Sequence, residues 1–206
     1  AEADLLAPAF YGFVLLSALL VSLAGVGFYF ALFALKQLFG QLTFWKGTGK
    51  FLLPFLLAGA AGLVTVNVMG GGHAFISSLG SGSEGVAPVF SSPLWATLLV
   101  VVFLKFLVTL FNMGAGVPCG AFIPMLAVGA GLGALMSLLM QTMGMDAAYA
   151  DALIVICMAV FFAAIVRAPV TGALMTLELT WQFGFLLPAV LGVAAGYLVG
   201  DVFRVK

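Results

Sequence analysis

The segment Gly116-Val117-Pro118-Cys119-Gly120-Ala121-Phe122-Ile123-Pro124 lies between two long apolar runs. Its two glycines and two prolines end one helix and start another, which leaves backbone N–H groups without intrahelical partners. Flanked as it is, the break sits at membrane depth, where irregular backbone is tolerated only when it is buried in protein or lines a polar cavity. A helix that begins there turns its positive dipole end and its N–H groups into that cavity, which suits an anion. Two side chains add charge inside apolar runs, Lys105 and Glu178. An unpaired charge at the bilayer centre costs roughly 2.5–3.5 kcal/mol on insertion scales, so each is expected to face protein or water. Each is either structural, held by a buried partner, a backbone carbonyl or snorkelling, or a station on an ion or proton route.

The elements that must position these groups follow from the composition. Hydrophobic residues make up 65% of the 206 and charged ones 7%, with a mean hydropathy of +1.30. That is far below the roughly one-quarter charged share of soluble domains and marks an integral membrane protein. At ~20 residues per crossing there is room for about seven or eight spans. Zero net charge and the absence of a basic run argue against nucleic acid as a partner. Cys119 and Cys157 both fall in apolar segments and read as small buried hydrophobes. A single histidine, His73, excludes a histidine-rich metal site. No nucleophile–base pair suggests catalysis, and no cofactor is implied. The start at Ala1, with Glu2 and Asp4 before the first apolar run, lacks the basic region of a signal peptide and suggests a segment of a longer protein or a processed chain.

Seven spans are expected: Leu5–Leu38, Phe51–Met69, Leu94–Met113, Ala121–Met143, Asp151–Val166, Val170–Trp181 and Phe185–Val199. A Gly- and Ser-rich loop from Gly70 to Ser92 separates the second from the third. The last two spans are short, as in folds whose helices stop part-way and face a central site. Seven crossings place Lys36, Lys46, Lys50, Arg167, Arg204 and Lys206 on one side, and Glu2, Asp4, Glu84, Asp146 and Asp151 on the other. The positive-inside rule makes the basic side cytoplasmic, the C-terminus included. Gly129, Gly131 and Gly133 in the fourth span, with Gly192 and Gly196 in the seventh, form small-residue faces on which helices can approach closely in lipid.

Two stretches resemble a known family. Gly120-Ala121-Phe122-Ile123-Pro124 is similar to the G-x-F-x-P anion-binding motif of the CLC chloride channels and chloride/proton exchangers. Arg167-Ala168-Pro169-Val170-Thr171-Gly172, continuing through Leu177-Glu178-Leu179-Thr180, resembles that family's R-A-P-L-T-G segment and the L-E-x-T after it. A Leu187-Pro188 pair follows. The two motifs stand in the family's order, and the resemblance covers almost the whole chain.

The resemblance implies an all-α, polytopic fold forming a single transmembrane domain over residues 1–206, the second of two inverted repeats. The N-terminal repeat would be a missing partner, with its serine and gating-glutamate motifs. The last helix, with its pore-facing tyrosine, is not reached either, and Tyr197 does not match that position. Gly82-Ser83-Glu84-Gly85 looks superficially like a gate motif but reads as a solvated acidic loop. The implied function is chloride transport through each subunit of a homodimer in a bacterial inner (plasma) membrane. The anion would be held by the backbone N–H groups of Gly120, Ala121, Phe122 and Ile123, with Pro124 in the first helical turn, where a missing N–H costs little. Backbone amides carry only partial charge, and conduction needs a site that lets the ion go. Channel and exchanger stay open, as does a non-conducting assembly module or fragment.

The charge partition predicts that a cysteine at position 48 is shielded from an impermeant thiol reagent in intact cells and one at position 141 is labelled. Labelling at 48 from outside overturns the orientation.

Overall fold

The computed structural model of the chain describes residues 8–41, 48–80, 86, 89, 92–118, 120–181 and 183–203. Eight α-helices and no strand are present among them: α1 (Pro8–Gln41), α2 (Leu52–Val64), α3 (His73–Gly80), α4 (Leu94–Ala115), α5 (Phe122–Thr142), α6 (Ala150–Val166), α7 (Pro169–Thr180) and α8 (Leu186–Val202). Among the described residues four stretches are long and apolar enough to cross a membrane: α1, α4, α5 and the run Ala147–Val166 that contains α6. At 1.5 Å per residue α2 reaches only about 20 Å and α7 about 18 Å, short of a ~30 Å hydrocarbon core. The fold is that of a polytopic membrane protein with several helices broken part-way.

Two features differ from the sequence expectation by more than three residues. The second span ends at Val64 rather than Met69, because Thr65 is extended and its hydroxyl accepts the Asn67 N–H at 3.3 Å. A 3₁₀ turn over Val66–Val68 follows. The Gly70–Ser92 region, expected to be a loop, contains the eight-residue helix α3, whose Phe75 and Leu79 are buried.

The burial pattern is inverted relative to a water-soluble bundle. On α1, Leu15, Leu16, Leu19, Leu20 and Leu23 are exposed while Ser17 and Ser22 are buried. In lipid an outward leucine costs nothing, and a hydroxyl belongs inside, where protein can bond it.

The chain forms two compact units. The first comprises residues 1–26 and 128–206, the second residues 27–127. In the first, α6 is the core: every residue from Ala152 to Ile165 is buried. A helix apolar all round has no polar face to offer and is packed on by its neighbours. Those neighbours meet it through glycines. A Cβ on Gly133 would lie 2.7 Å from the Ile154 Cα, and one on Gly129 would lie 2.8 Å from the Met158 Cα. On α8, a Cβ at Gly192 would meet Ile156 at 2.8 Å and one at Gly196 would meet Val160 at 2.9 Å. In the second unit, α1 beyond residue 26 packs on α4 through the edge-to-face pair Phe28–Phe106, with ring centroids 5.0 Å apart. Leu35 fills the space above Gly114, where an added Cβ would stand 3.0 Å from it.

Because backbone lies opposite Gly133, it has nothing that can yield. Gly133→Val is expected to cost about 1–3 kcal/mol through forced separation of α5 and α6. Reversible unfolding in mixed micelles checks this, with Gly12→Ala as control, since nothing lies within 4 Å of a Cβ there. Equal losses at both positions would defeat the packing account.

Candidate functional site

The break between α4 and α5 is built by its glycines and prolines. Gly116 ends α4 in the left-handed region (φ 73°), and Val117 donates back to the Asn112 carbonyl at 3.0 Å, closing the last turn. The α5 ladder begins with the Met125 N–H donating to the Ala121 carbonyl at 3.2 Å. Ala121 is therefore the N-cap, Phe122 and Ile123 are the first two helical residues and Pro124 is the third. Pro124 stands where an α-helix has no internal use for an N–H, so its ring fixes the first turn without breaking a bond.

A cavity of about 240 Å³ opens beside this N-terminus, wholly within the second unit. Gly120, Ala121 and Pro124 form one wall. Lys105, Thr109 and Asn112 of α4 form another, with Gly70 and Gly71 at its edge. Phe122 and Ile123 belong to the same turn without lining the cavity, and Ile123 instead lies 3.7 Å from the space above Gly71.

Lys105 is 2% exposed. Its ammonium donates to the Val68 carbonyl at 2.9 Å and the Gly70 carbonyl at 2.7 Å. Hydrogen bonds to a charged group contribute about 1.5–3 kcal/mol each, so two of them are of the size needed to offset the penalty of a charge at membrane depth. Neither partner is an acid. The carbonyls satisfy two of its three donors and bring no negative charge to the cavity wall. Asn112 donates its amide to the Val108 carbonyl at 2.9 Å, and Thr109 is 5% exposed.

Sequence reasoning placed Lys105 inside a span but did not join it to the Gly120–Pro124 turn. It also passed over Thr109 and Asn112, although 105, 109 and 112 follow the i, i+4, i+7 spacing of one helix face. Glu178 lies on α7, in the first unit, with an exposed side chain. Glu84 and Cys119 lie outside the described residues, as do Glu2, Asp4, Lys46, Arg204 and Lys206.

The second motif builds a joint. Arg167 caps α6 in the left-handed region (φ 58°), its N–H donating to the Ala163 carbonyl at 2.9 Å. Pro169 opens α7, and Gly172 lets α7 approach α6, where an added Cβ would meet Phe162 at 3.1 Å. The Arg167 guanidinium donates to the Asp201 carboxylate at 2.7 Å and lies 4.6 Å from the Tyr197 ring centroid, so the α6–α7 corner is tied to α8. Hydrogen bonding to Asp201, then to Tyr197, raises its pKa above the ordinary arginine value, so its charge is fixed.

With both motifs placed on helix starts, the comparison with known proteins decides the family. Residues 2–201 match the family described as voltage gated chloride channel. The chain belongs to that family. Among its relatives, the H(+)/Cl(-) exchange transporter ClcA of Yersinia pestis is 29% identical over 194 residues, covering 91% of this chain and 38% of the relative. The proteins of the same name from Vibrio parahaemolyticus and Vibrio cholerae are 30% and 29% identical, covering 71% and 87% of this chain and 30% and 37% of their own lengths. The chain thus spans less than two-fifths of the curated relatives it matches.

Gly116 is the hinge on which the geometry of the break depends. Gly116→Ala is expected to cost about 1 kcal/mol through its positive φ, with Gly116→Asn losing less. Unfolding midpoints measure this, and equal losses for both variants would remove the backbone explanation.

Proposed function

We propose that this chain is the C-terminal half of a chloride transporter and contributes the α5 N-terminus to its anion path. The observation that carries the reading is the single cavity on which Gly120, Ala121 and Pro124 converge with the carbonyl-held Lys105. A helix N-terminus offers oriented N–H donors and the positive end of the dipole, in surroundings where water competes weakly. The amides of Gly120, Ala121, Phe122 and Ile123 are the proposed ligands, with Gly120 and Ala121 on the cavity wall and Phe122 and Ile123 following in the same turn. Lys105 supplies a positive field from the α4 side, and Thr109 and Asn112 keep that wall polar. Chloride as the ion is supported by the family and by relatives named as H(+)/Cl(-) exchange transporters.

In the complete protein this half acts as one transmembrane domain alongside an N-terminal repeat, within a homodimer of the bacterial inner membrane. Its basic side and C-terminus face the cytoplasm. The amides alone do not replace the full hydration of a chloride ion, so the other half must bring further ligands.

Bromide soaked into crystals of the complete protein is expected to give anomalous density beside the Ala121 and Phe122 amides. Density elsewhere in the membrane core, with none at this turn, overturns the site.

A further inference from the structure

We propose that Gly72 is a positioning residue of the anion cavity: it lets the Val68–Gly72 turn close on Lys105 and hold the ammonium back as a source of field rather than a ligand. The inference rests on the reading of this cavity as part of the anion path. Two observations at Gly72 coincide. Its φ is +110°, a conformation that L side chains rarely adopt. A Cβ there would stand 2.5 Å from the Ala127 Cβ, 3.3 Å from the Lys105 Cε and 3.6 Å from its Nζ. A side chain at Gly72 would therefore have no room between the charged end of the lysine and α5.

That placement delivers the carbonyls. Thr65 stops α2, the 3₁₀ turn at Val66–Val68 redirects the chain, and Gly70 takes φ +64°. The Val68 and Gly70 oxygens then converge on one nitrogen at 2.9 and 2.7 Å. An ammonium free to move would collapse onto a desolvated anion and hold it. One tethered by two neutral acceptors keeps its unit charge and its long-range attraction, yet two of its three donors are already committed and its position is fixed. Attraction without tight capture is what a conducting path requires. A carboxylate in place of the carbonyls would cancel the charge, and a longer, looser turn would not fix it.

The test is chloride flux by the complete protein in lipid vesicles, with the apparent KM and maximal turnover read separately. Lys105→Met removes the field and is expected to raise the KM. Gly72→Ala frees the ammonium and is expected to move the other way, with KM and turnover both falling about threefold as the anion is held longer. In a Lys105→Met background, Gly72→Ala should leave the KM where Lys105→Met set it. Ala127→Gly, which removes the nearest obstacle to the new Cβ, should restore part of the turnover of Gly72→Ala. If Gly72→Ala does not assemble, Ala127→Val presses on the turn from α5 without demanding a positive φ, and the same comparison applies.

A KM unchanged by Gly72→Ala, or shifted equally with and without Lys105, overturns the positioning role. A KM unchanged by Lys105→Met instead overturns the anion reading of the cavity beneath it. A defect of folding alone lowers the active fraction and leaves the KM in place.

Discussion

Lipid offers no hydrogen bonds, and every break in a helix at membrane depth has to be satisfied by the protein that surrounds it. The fold is organised around the breaks that pass this test. At α4–α5 the Val117 N–H closes back onto the Asn112 carbonyl, so the outgoing end is spent locally and the incoming end of α5 faces a cavity. At α6–α7 the Arg167 N–H closes on Ala163, and its side chain anchors the corner to Asp201. After α2 the freed carbonyls of Val68 and Gly70 meet an ammonium. Three interruptions thus use three different solutions, and the start of α5 stands beside the same cavity that Gly70 and Lys105 line.

How much of this was legible in the sequence depended on whether the determinant was local. Gly116, Pro118 and Pro124 announce the end of one helix and the start of the next, because each acts through its own backbone. The family motifs lie on those same starts. The small-residue faces of α5 and α8 were readable from composition, and in the structure Gly129, Gly133, Gly192 and Gly196 approach α6 closely. By contrast α3 was hidden, since eight residues in a Gly- and Ser-rich stretch give too short a period to stand out, and its two buried anchors are only Phe75 and Leu79. The early end of α2 turns on one hydroxyl, that of Thr65, which a hydropathy pattern averages away. The carbonyl partners of Lys105 are more than thirty residues distant in sequence. No spacing rule connects them.

The two signature segments also do different work. The first leaves backbone groups facing a cavity, whereas the second is a mechanical joint in which a left-handed arginine, a helix-opening proline and a close-packed glycine act together. Motifs of similar length and family specificity therefore need not build the same kind of feature. Which does which is decided by what lies opposite them: a cavity walled by Lys105, Thr109 and Asn112 in one case, and α6 with α8 in the other.

The division of α1 between the two units has a consequence for the order of synthesis. Residues up to 26 belong with α6, α7 and α8, yet about a hundred residues separate them from the start of their partners at 128. At ribosomal rates that gap lasts on the order of ten seconds. During it the first half of α1 must rest in the bilayer with its eventual neighbours unmade. Its surface suits the wait: the leucine row is already at home in lipid, and the Ser22 hydroxyl is bonded to the Leu19 carbonyl of its own helix at 2.9 Å. A hydroxyl that needed α8 to satisfy it would have been a liability to the nascent chain.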